Sequence, residues 1–122
     1  MAFSDFDLDL KAGQLGETTV ANLLSIDTVE VKTDFKWKQT GNLYIETECW
    51  YNGRSAWGPS GLSVTKATHW AFNLNDLIVV VDTDTLKKVC ELFGRPITCD
   101  IEPNPTRGIL IRPEDLLQYK KF

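Results

Sequence analysis

Acids and lysines between Thr28 and Asn52 have the types and spacing to do chemistry together. Val29, Val31, Thr33, Phe35 and Trp37 alternate with Glu30, Lys32, Asp34, Lys36 and Lys38. Leu43, Ile45, Thr47 and Cys49 alternate with Asn42, Tyr44, Glu46, Glu48 and Trp50. Alternation of period two predicts two strands, the first with an apolar and a charged face. Gln39-Thr40-Gly41 between them suits a three-residue hairpin loop, because glycine can take the positive φ needed at its last position. That loop sets Asp34 opposite Glu46 and Lys32 opposite Glu48. Opposed β-carbons lie about 4.5–5.5 Å apart, so Asp34 and Glu46 repel unless something offsets their charge. A shared divalent cation would do so, since magnesium binds carboxylate and carbonyl oxygens and brings water. Lys32 and Lys36 on a solvated hairpin face would do so as well.

The elements that must position these residues follow from the rest of the chain. Phe3 to Leu10 alternates loosely, as an extended lead-in or short edge strand would. Gln14 to Ser25 is helical in pattern, with Val20, Ala21, Leu23 and Leu24 as its stripe. Glu17 precedes Val20, Ala21 and Leu24 by three, four and seven residues, so it projects from the face that packs on the sheet. A carboxylate there is costly unless paired or bound to metal. Near the helix start it is also favoured by the macrodipole and can reach solvent. Gly53 to Leu62 reads as a loop, and Ser63 or Thr65 can cap a second helix over Val64 to Asn73, with Lys66 in its first turn. His69, the single histidine, has no Cys or Ser partner in a compelling pattern. Leu77 to Val81 is the expected central strand, buried on both faces. Thr83 or Asp84 caps a helix over Thr85 to Phe93 with Leu86, Val89, Cys90 and Phe93 as its stripe. Short strands are expected at Ile97 to Ile101 and Ile109 to Ile111, and Pro113 starts a terminal helix.

Composition bounds the class. A chain of 122 residues, 43% hydrophobic and 25% charged, fits one globular domain over residues 1–122. No apolar run approaches a membrane span and no leader pattern opens the chain, so a cytoplasmic protein is expected. Cys49, Cys90 and Cys99 lack metal-ligand spacing and read as reduced thiols in or near the core. The net charge of -4 argues against nucleic-acid binding by basicity alone. It leaves room for an acidic centre with basic residues gathered elsewhere. No phosphate-binding GxxxxGK[ST] loop or GxGxxG turn is present.

The order of core-facing Glu17, Asp34 on one strand and Glu46-Thr47-Glu48 on the next resembles the PD-(D/E)XK nuclease superfamily, which includes restriction-endonuclease-like and phage Holliday junction resolvase-like enzymes. The resemblance implies an α/β fold with a restriction-endonuclease-like core, a mixed β-sheet with a central hairpin flanked by helices. It also implies a DNA endonuclease using Mg2+ or Mn2+, phage-encoded or of restriction type. Asp34, Glu46 and the Thr47 carbonyl would hold the metal, with Glu17 completing its shell. Glu48 stands where lysine is usual, and Lys32 or Lys66 would replace that cation. A rival alignment with Glu30-Val31-Lys32 as the motif is set aside, because its preceding acid would be Asp27, in the helix-to-strand turn with no strand of its own. Lys36, Lys38, Arg54 and Lys66 would contact phosphates. A homodimer would supply two centres for two strands. The alternative is a non-catalytic protein-interaction or DNA-binding module on the same scaffold.

Overall fold

The computed structural model describes residues 28–119. The lead-in expected over Phe3–Leu10, the helix expected over Gln14–Ser25 with Glu17, and residues 120–122 lie outside the described residues. The order of elements is β1 (Val29–Thr33), α1 (Trp37–Thr40), β2 (Leu43–Tyr51), β3 (Ala56–Pro59), a 3-10 turn (Gly61–Ser63), β4 (His69–Asn73), β5 (Ile78–Asp82), α2 (Thr83–Phe93), β6 (Arg95–Cys99), β7 (Thr106–Ile111) and α3 (Pro113–Gln118). The fold is mixed α/β, with sheets of order β1-β4-β5 and β3-β2-β7-β6. Among the described residues no helix is long and apolar enough to cross a membrane.

The two arms expected to form one hairpin belong to different sheets. β1 pairs in parallel with β4, Val29 beside His69 and Thr33 beside Asn73. After Thr33 the chain coils into α1, which Gly41 closes at φ 74° with its N–H on the Trp37 carbonyl. Gly41 thus takes a positive φ, but it ends a helical turn instead of a hairpin loop. Trp37 ties this turn to the first sheet, because its half-buried indole packs on the core and donates to the Leu74 carbonyl at 3.3 Å. The expected oppositions of Asp34 with Glu46 and of Lys32 with Glu48 are lost with the hairpin.

The faces of β1 are also reversed. Val31 is 64% exposed, whereas Glu30 and Lys32 lie beside Trp70 and Phe72 on the side that β4 buries. The two charges pair at 3.2 Å, and Lys32 Nζ stands 5.5 Å from the centroid of the Trp70 ring. A lysine stem can cover apolar surface while its head stays wet.

Where a helix was expected over Val64–Asn73, the structure has a 3-10 end, a loop and β4. β4 is the middle strand of its sheet, and the consecutive residues Trp70, Ala71 and Phe72 are all buried. Such a run suits a strand covered on both faces. β5, expected at the centre, is instead an edge: Val79 and Val81 pack on the core while Ile78 and Val80 are exposed. α2 keeps its expected stripe, with Leu86, Val89 and Cys90 buried, but Phe93 is exposed. Its cap is Asp82, which accepts the Thr85 N–H at 2.8 Å. The core gathers Leu43 and Ile45 of β2, Ile111 of β7, Trp70 and Phe72 of β4, and the α2 stripe into one cluster. Both sheets therefore share a single apolar interior.

Candidate functional site

β2 is nine residues long, but β3 pairs only with Glu48 to Tyr51. The opening stretch of β2 is left without a strand on that side, and Asp34 fills the place. Its Oδ2 accepts the Tyr44 N–H at 3.3 Å, while its own N–H donates to the Asn73 carbonyl at 3.1 Å. The carboxylate is fixed where the first sheet ends and the edge of β2 begins.

Tyr44 points from β2 across β7, and its hydroxyl lies 2.6 Å from Thr106 Oγ1. Gly108 makes this possible, since a β-carbon there would come within 2.8 Å of the Tyr44 ring and 2.4 Å of the Ile45 carbonyl oxygen. A cavity of about 440 Å³ opens beside the ring, lined by Asp34, Lys36, Tyr44, Cys99, Glu102 and Thr106 among others. A second, of about 220 Å³, shares Asp34, Lys36, Tyr44 and Cys99. Burial pushes the Tyr44 phenol above its usual 10.0; the Thr106 bond offsets part of this, and the charge of Glu46 adds to it. Tyr44 is therefore a neutral hydroxyl near pH 7.

The register of β2 on β7 shifts between Glu46 and Glu48: Glu46 faces Gly108, and Glu48 faces Arg107. Successive residues of β7 point to opposite faces, so this bulge sends Glu46 to the Tyr44 side and Glu48 to the other. Alternation along β2 had put the two acids on one face. Thr47, at the bulge, donates from Oγ1 to the Arg107 carbonyl at 3.3 Å, and its own carbonyl accepts the Ser60 N–H at 3.0 Å. The Glu48 carboxylate lies 3.8 Å from the Arg107 guanidinium.

The structure thus brings Asp34, Lys36 and Glu46 to the neighbourhood of Tyr44 and distributes the other expected site residues elsewhere. Lys32 is engaged by Glu30, Lys38 pairs with Asp76, and Arg54 stands over the Tyr51 ring. Lys66 is exposed in the loop before β4. Glu17 and Asp27 lie outside the described residues. Among the described residues no three His, Cys, Asp or Glu side chains gather in a metal-binding group. Asp34 and Glu46 nonetheless offer the hard oxygen donors that magnesium prefers, and that ion is commonly held by one or two carboxylates while keeping several waters.

Tyr44, Glu102 and Thr106 escape sequence reasoning, since Tyr44 and Thr106 are 62 residues apart and meet only because β2 pairs with β7. The one signal in the chain was Tyr44 on the polar side of its strand. The cysteines are free thiols, as expected, and burial pushes Cys90 up to about 12, which suits packing and not nucleophilic work. No protein-family model matches the chain, and comparison with curated proteins and with solved structures finds no match.

Proposed function

We propose that this protein is a metal-dependent endonuclease hydrolysing phosphodiester bonds in DNA, with a restriction-endonuclease-like core and its centre on Asp34 and Glu46. The observation that carries the reading is the position of Asp34, pinned at the Tyr44 N–H and lining the cavity, with Glu46 two residues further along the same side of β2. Mg2+ or Mn2+ bound by these carboxylates would polarise a phosphate and lower the pKa of a water. Lys36 lines the same cavity and is the cation best placed to meet a phosphate oxygen there, in preference to Lys32, which Glu30 engages. The Tyr44 hydroxyl supplies a neutral donor at the cavity wall. The resemblance would add Glu17, which lies outside the described residues, as a third acid. Glu48 does not, because the bulge turns it to Arg107. A homodimer would bring two such centres to the two strands of a duplex.

The position of Glu48 favours a second reading, a non-catalytic DNA-binding or protein-interaction module, since the site where a lysine would complete the motif faces away from Asp34.

Asp34→Asn tests the first reading more cleanly than Asp34→Ala, because an amide oxygen can still accept the Tyr44 N–H. Both variants are expected to lose magnesium-dependent cleavage of plasmid and branched DNA by at least about a hundredfold. EDTA should abolish wild-type cleavage, and the Asn variant should keep the wild-type melting temperature. Cleavage by Asp34→Asn at the wild-type rate would remove Asp34 from the centre. A wild type that cuts nothing in either metal would favour the second reading.

A further inference from the structure

The β2–β3 ribbon carries an aromatic ring with a guanidinium over it on each of its two faces. On one face Trp50 and Trp57 are cross-strand partners, their rings meeting edge-on at 5.7 Å between centroids. Arg107 of β7 lies 3.9 Å above the Trp57 ring. On the other face Tyr51 lies over Gly58, where a β-carbon would come within 2.7 Å of the ring, and Arg54 stands 5.2 Å from its centroid. The ribbon is held firmly. The Trp50 N–H donates to the Pro105 carbonyl at 2.9 Å, and Asn52 Nδ2 donates to the Pro103 carbonyl at 3.4 Å. Pro103 and Asn104 line the Asp34 cavity, so the ribbon end sits at the cavity rim.

Aromatic faces accept any base by stacking, and a planar guanidinium stacks on a base while its charge meets phosphate. The guanidinium groups set positive charge beside the rings, as a sugar-phosphate chain requires, with Glu48 sharing that of Arg107 at 3.8 Å. We infer that the β2–β3 ribbon is a stacking platform for unpaired bases, which directs the chain to single-stranded DNA or to the single-stranded parts of branched DNA. The inference rests on the proposed action on DNA and narrows it. By register the Tyr51–Arg54 pair lies on the Tyr44 side of the sheet, the side of the cavity, and the Trp57–Arg107 pair on the opposite side.

The test is binding of fluorescein-labelled oligothymidylate and of a duplex of equal length to the full chain in EDTA, where no cleavage proceeds, read by anisotropy and by quenching of tryptophan fluorescence. The single strand is expected to bind at least tenfold more tightly. Trp57→Ala and Tyr51→Ala should each weaken it by about tenfold. Trp57→Phe should retain binding, and Trp57→Leu, which keeps apolar volume without a ring and should weaken binding, replaces the Ala variant should that one fail to fold. Arg107→Lys keeps the charge but not the plane, so weakened binding with an unchanged melting temperature supports stacking. Equal affinity for strand and duplex, or full affinity in Arg107→Lys and both Ala variants, overturns the platform. So does a proline-rich peptide that binds the ribbon while oligothymidylate does not. Plasmid cleavage in magnesium keeps the two proposals apart: cleavage without single-strand preference strikes the platform alone, and single-strand preference without cleavage strikes the nuclease alone.

Discussion

At the scale of single residues, the carboxylates of this chain are distinguished by what donates to them. Asp34 has one backbone donor and a cavity beside it, whereas Asp115 is closed in. Asp115 is 3% exposed; its Oδ2 accepts the Arg112 N–H at 2.8 Å and its Oδ1 accepts the Arg112 guanidinium at 2.9 Å. Burial pushes this carboxyl up, but the bonds and charge of Arg112, with Arg95 behind them, outweigh it and hold the group below its usual 3.8. The folded state thus favours the ionised form more than the unfolded chain does. The resulting stabilisation is complete above about pH 4 and fades as pH falls through the lower folded-state value. Asp115→Asn should cost about 1–3 kcal/mol at pH 7. Melting curves at pH 7 and pH 3 check this: the gap between wild type and variant should narrow at acid pH, and an equal gap would count against a charge effect.

At the scale of elements, the candidate centre depends on how β2 lies against β7. The bulge between Glu46 and Glu48 decides which acid shares a side with Tyr44. Gly108, opposite Glu46, decides whether the Tyr44 ring can cross β7 to Thr106. Gly108→Ala places a methyl against the Ile45 carbonyl, so the strands must part or the ring must leave. Overpacking of this kind costs about 1–3 kcal/mol. The variant is expected to melt lower and also to lose the Tyr44–Thr106 contact. Proton NMR of the Tyr44 ring, with Tyr44→Phe as the assignment control, reads the second effect directly; unchanged ring shifts would mean that the sheet absorbs the methyl.

At the scale of the whole molecule, the two sheets hold together through one interior and not through shared strand pairing. Trp70 is fully buried there, with the Lys32 ammonium 5.5 Å from its ring centroid and Phe72 as its neighbour. Trp70→Ala removes its largest side chain and should cost about 3–5 kcal/mol. That is a large share of the roughly 5–15 kcal/mol by which domains of this size are stable. Urea titration followed by circular dichroism is the measurement, and loss of both sheets in one transition is expected. A first transition confined to β1, β4 and β5 would show instead that the sheets unfold separately.

The amino-acid sequence by itself determined the local elements whose pattern is self-contained. The α2 stripe, the start of α3 at Pro113 with Glu114 and Asp115 in its first turn, and β7 around Ile109 to Ile111 follow from spacing and capping within a few residues. Alternation also marked β1 and β2 as strands. Alternation states a period and not a partner. Only the tertiary structure decided that β1 pairs with β4, forty residues away in sequence, and not with β2. Burial of Trp70 and Phe72 beside it outweighs a local turn, and that choice moved Lys32 from a site residue to a partner of Glu30. The separation of Glu46 from Glu48 is likewise a property of two strands in register, absent from either strand read alone. Asp34 was legible as an acid at a strand end; its hold on Tyr44 was not, because the edge it fills exists only once β3 stops short on β2.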